Sequence, residues 1–144
     1  MDNHILEIKN RIESEPYARI FKIKVEELRE GYSKVSMLAT KDFDNMFSIT
    51  QGGAIFSLAD FAFAAAVNAY KNIAVAVNVN INYIKSAVAG DILTAEASEI
   101  SRGNKTSTYI INVKNDKNEL IASSHALAFI KHSEKSKEEK KTDK

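Results

Sequence analysis

An α+β fold, one long buried helix set against an antiparallel sheet, is what three features of the sequence predict. The stretch from Gln51 to Tyr70 opens on two glycines and stays apolar on every side, the pattern of a helix inside a protein. The run from Val75 to Tyr83 alternates Val75, Val77, Val79, Ile81 and Tyr83 with Ala76, Asn78, Asn80 and Asn82, the period of a strand with one covered face. Further alternating runs follow it through short turns, and short links join antiparallel neighbours. Only the first stretch is greasy enough to fill such a sheet.

Each remaining element follows in chain order. Residues 2 to about 13 place Ile5, Leu6, Ile8 and Ile12 at roughly helical spacing, and Pro16 stops the segment soon after. From Ile20 the period changes: Phe21, Ile23 and Val25 alternate with Lys22, Lys24 and Glu26, which predicts a strand. Gly31 turns it into a second strand, Tyr32 to Ala39, and the two form a hairpin. Thr40 to Ser48 loses all periodicity and reads as a loop that delivers the chain to the glycine pair. Behind the helix and the strand that opens at Val75, Gly90-Asp91 turns into Ile92 to Ile100, Arg102-Gly103-Asn104-Lys105 into Thr106 to Lys114, and Asp116-Lys117-Asn118 into Leu120 to Lys131. The predicted organisation is an N-terminal amphipathic helix and linker (1–19), one helix-and-sheet domain (20–132) and a charged, disordered tail (133–144) without an apolar residue.

Composition narrows the function classes. A chain of 144 residues, 44% hydrophobic and 27% charged, fits one ordinary globular domain. Residues 1–132 hold fifteen basic and fifteen acidic groups, which argues against a nucleic-acid surface and leaves room for one anionic small molecule. The absence of cysteine excludes disulfides, thiolate metal sites and a cysteine nucleophile. The apolar run from Ala54 to Val67 is interrupted by Ser57 and Asp60 and is too short to span a bilayer. Met1-Asp2-Asn3-His4 resembles no secretory signal, so a cytoplasmic location is the default expectation.

The chemistry narrows to a few residues. His4 and His132 fall at expected frayed ends, and His125 in a strand reads best as a hydrogen-bonded structural histidine. No His or acid pair has metal-ligand spacing, so no metal site is expected. Ser57 lacks the glycines of a nucleophile elbow, and Gly52-Gly53 lacks the lysine of a phosphate loop. Asn45, Gly52 and Asp60 remain. Gly52 would open the helix, where backbone N–H groups have no intrahelical partner and the dipole favours developing negative charge, the chemistry of an oxyanion hole. Asp60 is a carboxylate in a greasy helix, so it is either held by neighbouring backbone or Ser/Thr hydrogen bonds or used. Eight residues separate it from Gly52, about 12 Å along the axis, too far for both to act on one carbonyl. If both are catalytic, antiparallel packing of two such helices in a dimer would bring one chain's Gly52 to the other's Asp60.

The pattern Asn45-x5-Gln51-Gly52-Gly53-x6-Asp60, with Asn68, the strand from Val75 to Tyr83 and Ala89-Gly90-Asp91, resembles the hotdog-fold acyl-CoA thioesterases of the phenylacetate-pathway (PaaI) type over residues 20–131. The resemblance implies a long helix wrapped by a curved antiparallel sheet, a homodimer sharing one sheet and commonly paired into a homotetramer, and sites at the dimer interface. It implies that the Gly52 N–H polarises the thioester carbonyl, that Asn45 supports the carbonyl or the attacking water, and that Asp60 of the second chain is general base or nucleophile. Arg102 and Lys105, in the turn the family uses near coenzyme A phosphates, are candidate substrate contacts together with Gly53 and Lys85. Each cation taken alone is more often a solvated surface charge.

Two positions depart from the family pattern: Gln51 stands where the family usually has His, and Ser48 where it has glycine. Gln can position the loop but cannot exchange a proton near neutral pH. A hydroxyl that some members place early in the strand after the helix is also missing, with Asn78 the polar residue nearest that role. The leading expectation is hydrolysis of acyl-CoA thioesters without a separate cofactor. Phe43, Met46, Phe47, Phe56, Phe61 and Phe63 bias it toward medium-chain or aryl acyl groups, and core packing explains them equally. The alternative is a non-catalytic acyl-CoA-binding or sensing module of the same fold.

Overall fold

The computed structural model describes residues 2–132. The expected tail, Ser133 to Lys144, lies outside them. Two helices come first, α1 (Asn3–Ser14) and α2 (Pro16–Phe21), then the hairpin β1 (Lys24–Arg29) and β2 (Tyr32–Leu38). A short 3-10 turn (Lys41–Phe43) leads to the long helix α3 (Gly52–Asn68). Four strands close the fold: β3 (Ile73–Tyr83), β4 (Ile92–Arg102), β5 (Thr106–Lys114) and β6 (Leu120–Lys131).

The strands form one antiparallel sheet in the order β1-β2-β4-β5-β6-β3, and α3 lies across its concave side. Contact is close because small residues meet: Ala62, Ala65 and Ala66 of α3 and Ala95 and Ala97 of β4 are fully buried. The Gly31 N–H donates to the Ala66 carbonyl at 3.2 Å. Gly31 has φ +74, and a Cβ there would sit 3.2 Å from both Glu99 Cβ and Tyr70 Oη, so both conformation and space call for glycine. Leu58, Phe63, Tyr109, Ile111 and Ile121 fill the remaining volume. Each large apolar side chain so withdrawn contributes about 1.5–3 kcal/mol.

Two expectations change. Phe21 ends α2 and does not open a strand: Pro16, with φ preset and no N–H to lose, occupies the first helical turn, and Lys22 at φ 50 closes it. Phe21, Ile23 and Val25 are all buried, so they alternate in burial through a helix end and mimic a strand. Second, β3 does not pair with β4. The link 84–91 carries the chain across to β2's side, where Ala39 N donates to Asp91 O at 2.8 Å, and β3 pairs with β6 instead.

The histidines change as well. His4 is docked: Nε2 lies 3.1 Å from Asn68 O and 2.9 Å from Tyr70 O. Both partners are carbonyls, so this nitrogen is the protonated one. His132 Nε2 contacts Asn104 O at 3.0 Å. His125 is exposed on β6 and has no side-chain hydrogen bond among the described residues, contrary to the structural role expected of it.

Candidate active site

The loop before α3 is tied down before it reaches the helix. Thr50 N donates to Ala87 O at 2.8 Å, Gln51 N to Phe43 O at 2.7 Å and Asn45 N to Ile49 O at 2.8 Å. Asn45 Oδ1 accepts from Phe47 N at 2.8 Å, so the oxygen of this candidate holds its own loop. Ser48 is forced to φ 61, a left-handed conformation that glycine adopts more readily. The chain then enters α3 with Gln51 as N-cap and Gly52 as the first helical residue. The Gly52 N–H donates to Gln51 Oε1 at 3.1 Å, a self-cap by an exposed side chain on the amide expected to bind an oxyanion. A cleft of about 380 Å³ opens here, lined among others by Asn45, Thr50, Gln51, Gly52, Tyr83 and Lys85.

Asp60 is elsewhere on the same helix. Gly53, Phe56, Asp60, Ala64 and Asn68 form the stripe of α3 that the sheet leaves uncovered, while the other faces are buried. Burial pushes the Asp60 carboxyl above the usual carboxylate range. Among the described residues nothing donates a hydrogen bond to it, so the held-aspartate alternative finds no support in this chain. Glu15, at the elbow between α1 and α2, is also raised, first by burial and then by the charge of Asp60. The elbow is fixed over this part of α3 by a 2.8 Å bond between Tyr17 Oη and Ser57 Oγ and by Tyr17 packing on Phe21 and Phe61.

The other candidates separate. Gly53 is exposed in the first turn of α3, and Lys85 sits in the cleft paired with Glu119. Asn78 pairs in register with Leu127 on the convex side of the sheet and accepts from Asn80 Nδ2 at 2.9 Å, away from the cleft. Arg102 stacks its guanidinium 3.6 Å from the centre of the Tyr70 ring, beyond the far end of α3, and Lys105 is exposed in the same region. That end is about 24 Å from this chain's Gly52. Of the aromatic candidates, Phe61 and Phe63 are core, Phe43 and Phe56 are half-buried, and Met46 and Phe47 are exposed at 88% and 71%.

Two lining residues were absent from the sequence candidates. Thr50 is buried with its hydroxyl unpartnered among the described residues. Tyr83 donates from Oη to the Gly52 carbonyl at 2.9 Å. In the sequence Tyr83 is only the last term of an alternating strand, and no local signal points it at the helix.

A half-buried free carboxylate, a glycine amide at a helix start and a helix wrapped by an antiparallel sheet define a hotdog-fold protein with the elements of acyl transfer. Residues 47–122, just over half of the chain, match the thioesterase superfamily, and the chain belongs to that family. It is 34% identical over 110 residues to acyl-coenzyme A thioesterase PaaI of Escherichia coli K12, covering 76% of this chain and 79% of that one. The structure of E. coli PaaI, from the phenylacetic acid degradation operon, superposes with a TM-score of 0.86 at 29% identity, over 90% of this chain and 95% of that one. A protein of Archaeoglobus fulgidus named "Putative esterase" is 48% identical over 99 residues, 69% of this chain. The chain spans 64% of the length of that relative, just under two thirds.

Proposed function

We propose that the protein hydrolyses acyl-CoA thioesters at two equivalent sites, each shared between the chains of a homodimer. The observation that carries this is Asp60: a carboxylate raised by burial, without a hydrogen-bond partner among the described residues, on the stripe of α3 that the sheet leaves uncovered. An unpaired charge in that position is expensive unless something from outside the chain meets it. The helix packs against β3, a free sheet edge, and Met46 and Phe47 are exposed in the loop that leads into it. Covering stripe, edge and loop with a second copy in antiparallel orientation puts one chain's Gly52 against the other's Asp60.

In that arrangement the thioester carbonyl takes the Gly52 N–H in place of Gln51 Oε1. Asp60 of the second chain draws a proton from water as it attacks the carbonyl carbon, or attacks that carbon itself. The oxyanion forms on the carbonyl oxygen, held by the Gly52 N–H, and collapses with loss of the coenzyme A thiolate: attack by water gives the free acid directly, whereas attack by Asp60 gives a mixed anhydride that water then hydrolyses to the free acid and the original carboxylate. The raised carboxyl is a better base than an ordinary aspartate. Arg102 and Lys105 then lie beyond the end of its helix, which is about 12 Å from Asp60, within reach of the pantetheine and phosphates of a substrate whose carbonyl sits at the seam. Lys85 and Gly53 flank the Gly52 side, Asn45 supports the carbonyl or water through its free carboxamide nitrogen, and Asn78 takes no part that its position supports. Met46, Phe47 and Phe56 favour a medium-chain or aryl acyl group. Pairing of two dimers into a homotetramer and a cytoplasmic location complete the reading; among the described residues no helix is long and apolar enough to cross a membrane.

One observation favours a second reading, a non-catalytic acyl-CoA-binding module: the Gln51 carboxamide, which cannot exchange a proton, occupies the amide the oxyanion needs. Thiol release from a panel of acyl-CoA esters decides between them. The wild type should turn over and Asp60→Asn should lose about 10²–10⁴-fold in kcat. Tight ligand binding without turnover, or equal turnover by Asp60→Asn, supports the binding module instead.

A further inference from the structure

Tyr83 is held by the sheet and touches the helix. It pairs with Ala122 at the end of the β3·β6 ladder, and the two amides after it, Ile84 and Lys85, both donate to Ile121 O. From that anchored position its hydroxyl donates to the Gly52 carbonyl, and its ring lies against the Gly52 Cα. A Cβ at 52 would sit 3.0 Å from Tyr83 Cζ and 3.2 Å from Oη. The backbone of Gly52 is not in the left-handed region, so what opposes a side chain there is the ring and not conformation: ring or helix start would have to give by a few tenths of an ångström.

We infer that Tyr83 is a positioning residue for the oxyanion donor: through its hydrogen bond and ring contact it holds the first residue of α3 so that the Gly52 N–H is aimed before substrate arrives. The inference rests on the hydrolase reading above. The first N–H groups of a helix have no intrahelical partner, and helix ends fray. An oxyanion donor is effective only if it is in place as the charge develops. Tyr83 opposes fraying through two contacts at one residue. The hydrogen bond fixes the peptide between Gly52 and Gly53, and the ring fixes the Cα from which the Gly52 N–H departs. Burial pushes the phenol pKa up, so the hydroxyl remains a donor where Asp60 is ionised. Tyr83 also belongs to the strand whose free edge is the proposed seam, so chain pairing and amide positioning share one element.

The test uses the full chain with octanoyl-CoA and benzoyl-CoA, reading kcat and KM separately, with melting temperature and light scattering as checks on folding and assembly. Tyr83→Phe keeps the ring and loses one hydrogen bond; kcat should fall about tenfold with KM little changed. The Gly52 and Gly53 amide NMR signals should move in the same variant. Gly52→Ala should lose more activity than Tyr83→Phe, because the new Cβ displaces the helix start from the ring. Gly52→Ala/Tyr83→Ala should be no worse than Tyr83→Ala alone, because the Cβ then has room. Wild-type kcat in Tyr83→Phe, unmoved amide signals, or losses that multiply in the double variant overturn the role of Tyr83 while leaving hydrolysis intact. A wild-type chain that releases no thiol from either ester overturns the hydrolase reading and this role with it.

Discussion

The two edges of the sheet are built differently. At one edge, β1 is six residues long and four of them, Lys24, Glu26, Glu27 and Arg29, are charged. At the other, β3 runs for eleven residues without a single charge, with Ile73 and Val77 exposed at 67% and 56%. Both carry a bulge, at Val25/Glu27 and at Ala76/Asn78, so the bulge does not distinguish them. Length and charge do. A long uncharged edge offers unpaired backbone groups to any strand that approaches, and proteins that must stay apart blunt such edges with charge. The β1 edge has the charge that blunts such pairing, and the β3 edge lacks it, which is why the proposed seam is placed at β3.

Backbone strain does not distinguish the two edges, since left-handed residues other than glycine occur at Lys22 just before β1, at Ser48 beside the cleft and at Asn118 between β5 and β6. The unpartnered acid does: Asp60 lies on the stripe of α3 that the sheet leaves uncovered, where the second chain is proposed to sit.

The contrast can be broken at its strongest point by charging the uncharged edge. Val75→Lys with Val77→Lys should convert the dimer to monomer and lower turnover by roughly 10³-fold or more, because donor and carboxylate are parted. Glu27→Lys on β1 should alter neither light scattering nor turnover. Equal responses at the two edges would remove the distinction.

A smaller effect concerns stability at Asp60. Because burial raises its pKa, the folded chain binds this proton more tightly than the unfolded chain. Stability from this group is therefore greatest at low pH and falls as pH rises from the ordinary carboxylate value through the raised one. Asp60→Asn should melt at a higher temperature than wild type at neutral pH, and the gap should close on acidification toward pH 3.8. In the same pH range wild-type turnover should rise with pH, with a midpoint above that of an unperturbed aspartate. The smallest effect is at the loop: Ser48→Gly should stabilise the chain by about 1 kcal/mol in urea unfolding by relieving the left-handed serine.

Much of this architecture was readable from local pattern. The apolar run around Leu58 and the alternation from Val75 to Tyr83 identify α3 and β3, because burial on one face imposes a period. The helix α2 was not readable: six residues give too few turns to show a period, and Phe21, Ile23 and Val25 alternate in burial as a strand would. Strand partners were not readable either, since β3 reaches β6 across about forty intervening residues and alternation says nothing of which edge is met. At the site, Gly52 and Asp60 stand out because each breaks its local context. Tyr83 and Thr50 do not, because the contact of the first and the buried, unpartnered hydroxyl of the second arise only in the folded chain.

The central claim is that each site takes its amide from one chain and its carboxylate from the other, and mixed dimers test it most directly. Gly52→Ala and Asp60→Asn chains, each lowered more than about tenfold alone, are unfolded together, refolded at equal ratio and assayed for thiol release. Half of the dimers should be mixed, and each mixed dimer carries one site with both defects and one with neither. About a quarter of wild-type activity should be recovered. A mixture that stays as inactive as its two components would contradict it, because the amide and carboxylate would then have to act from the same chain.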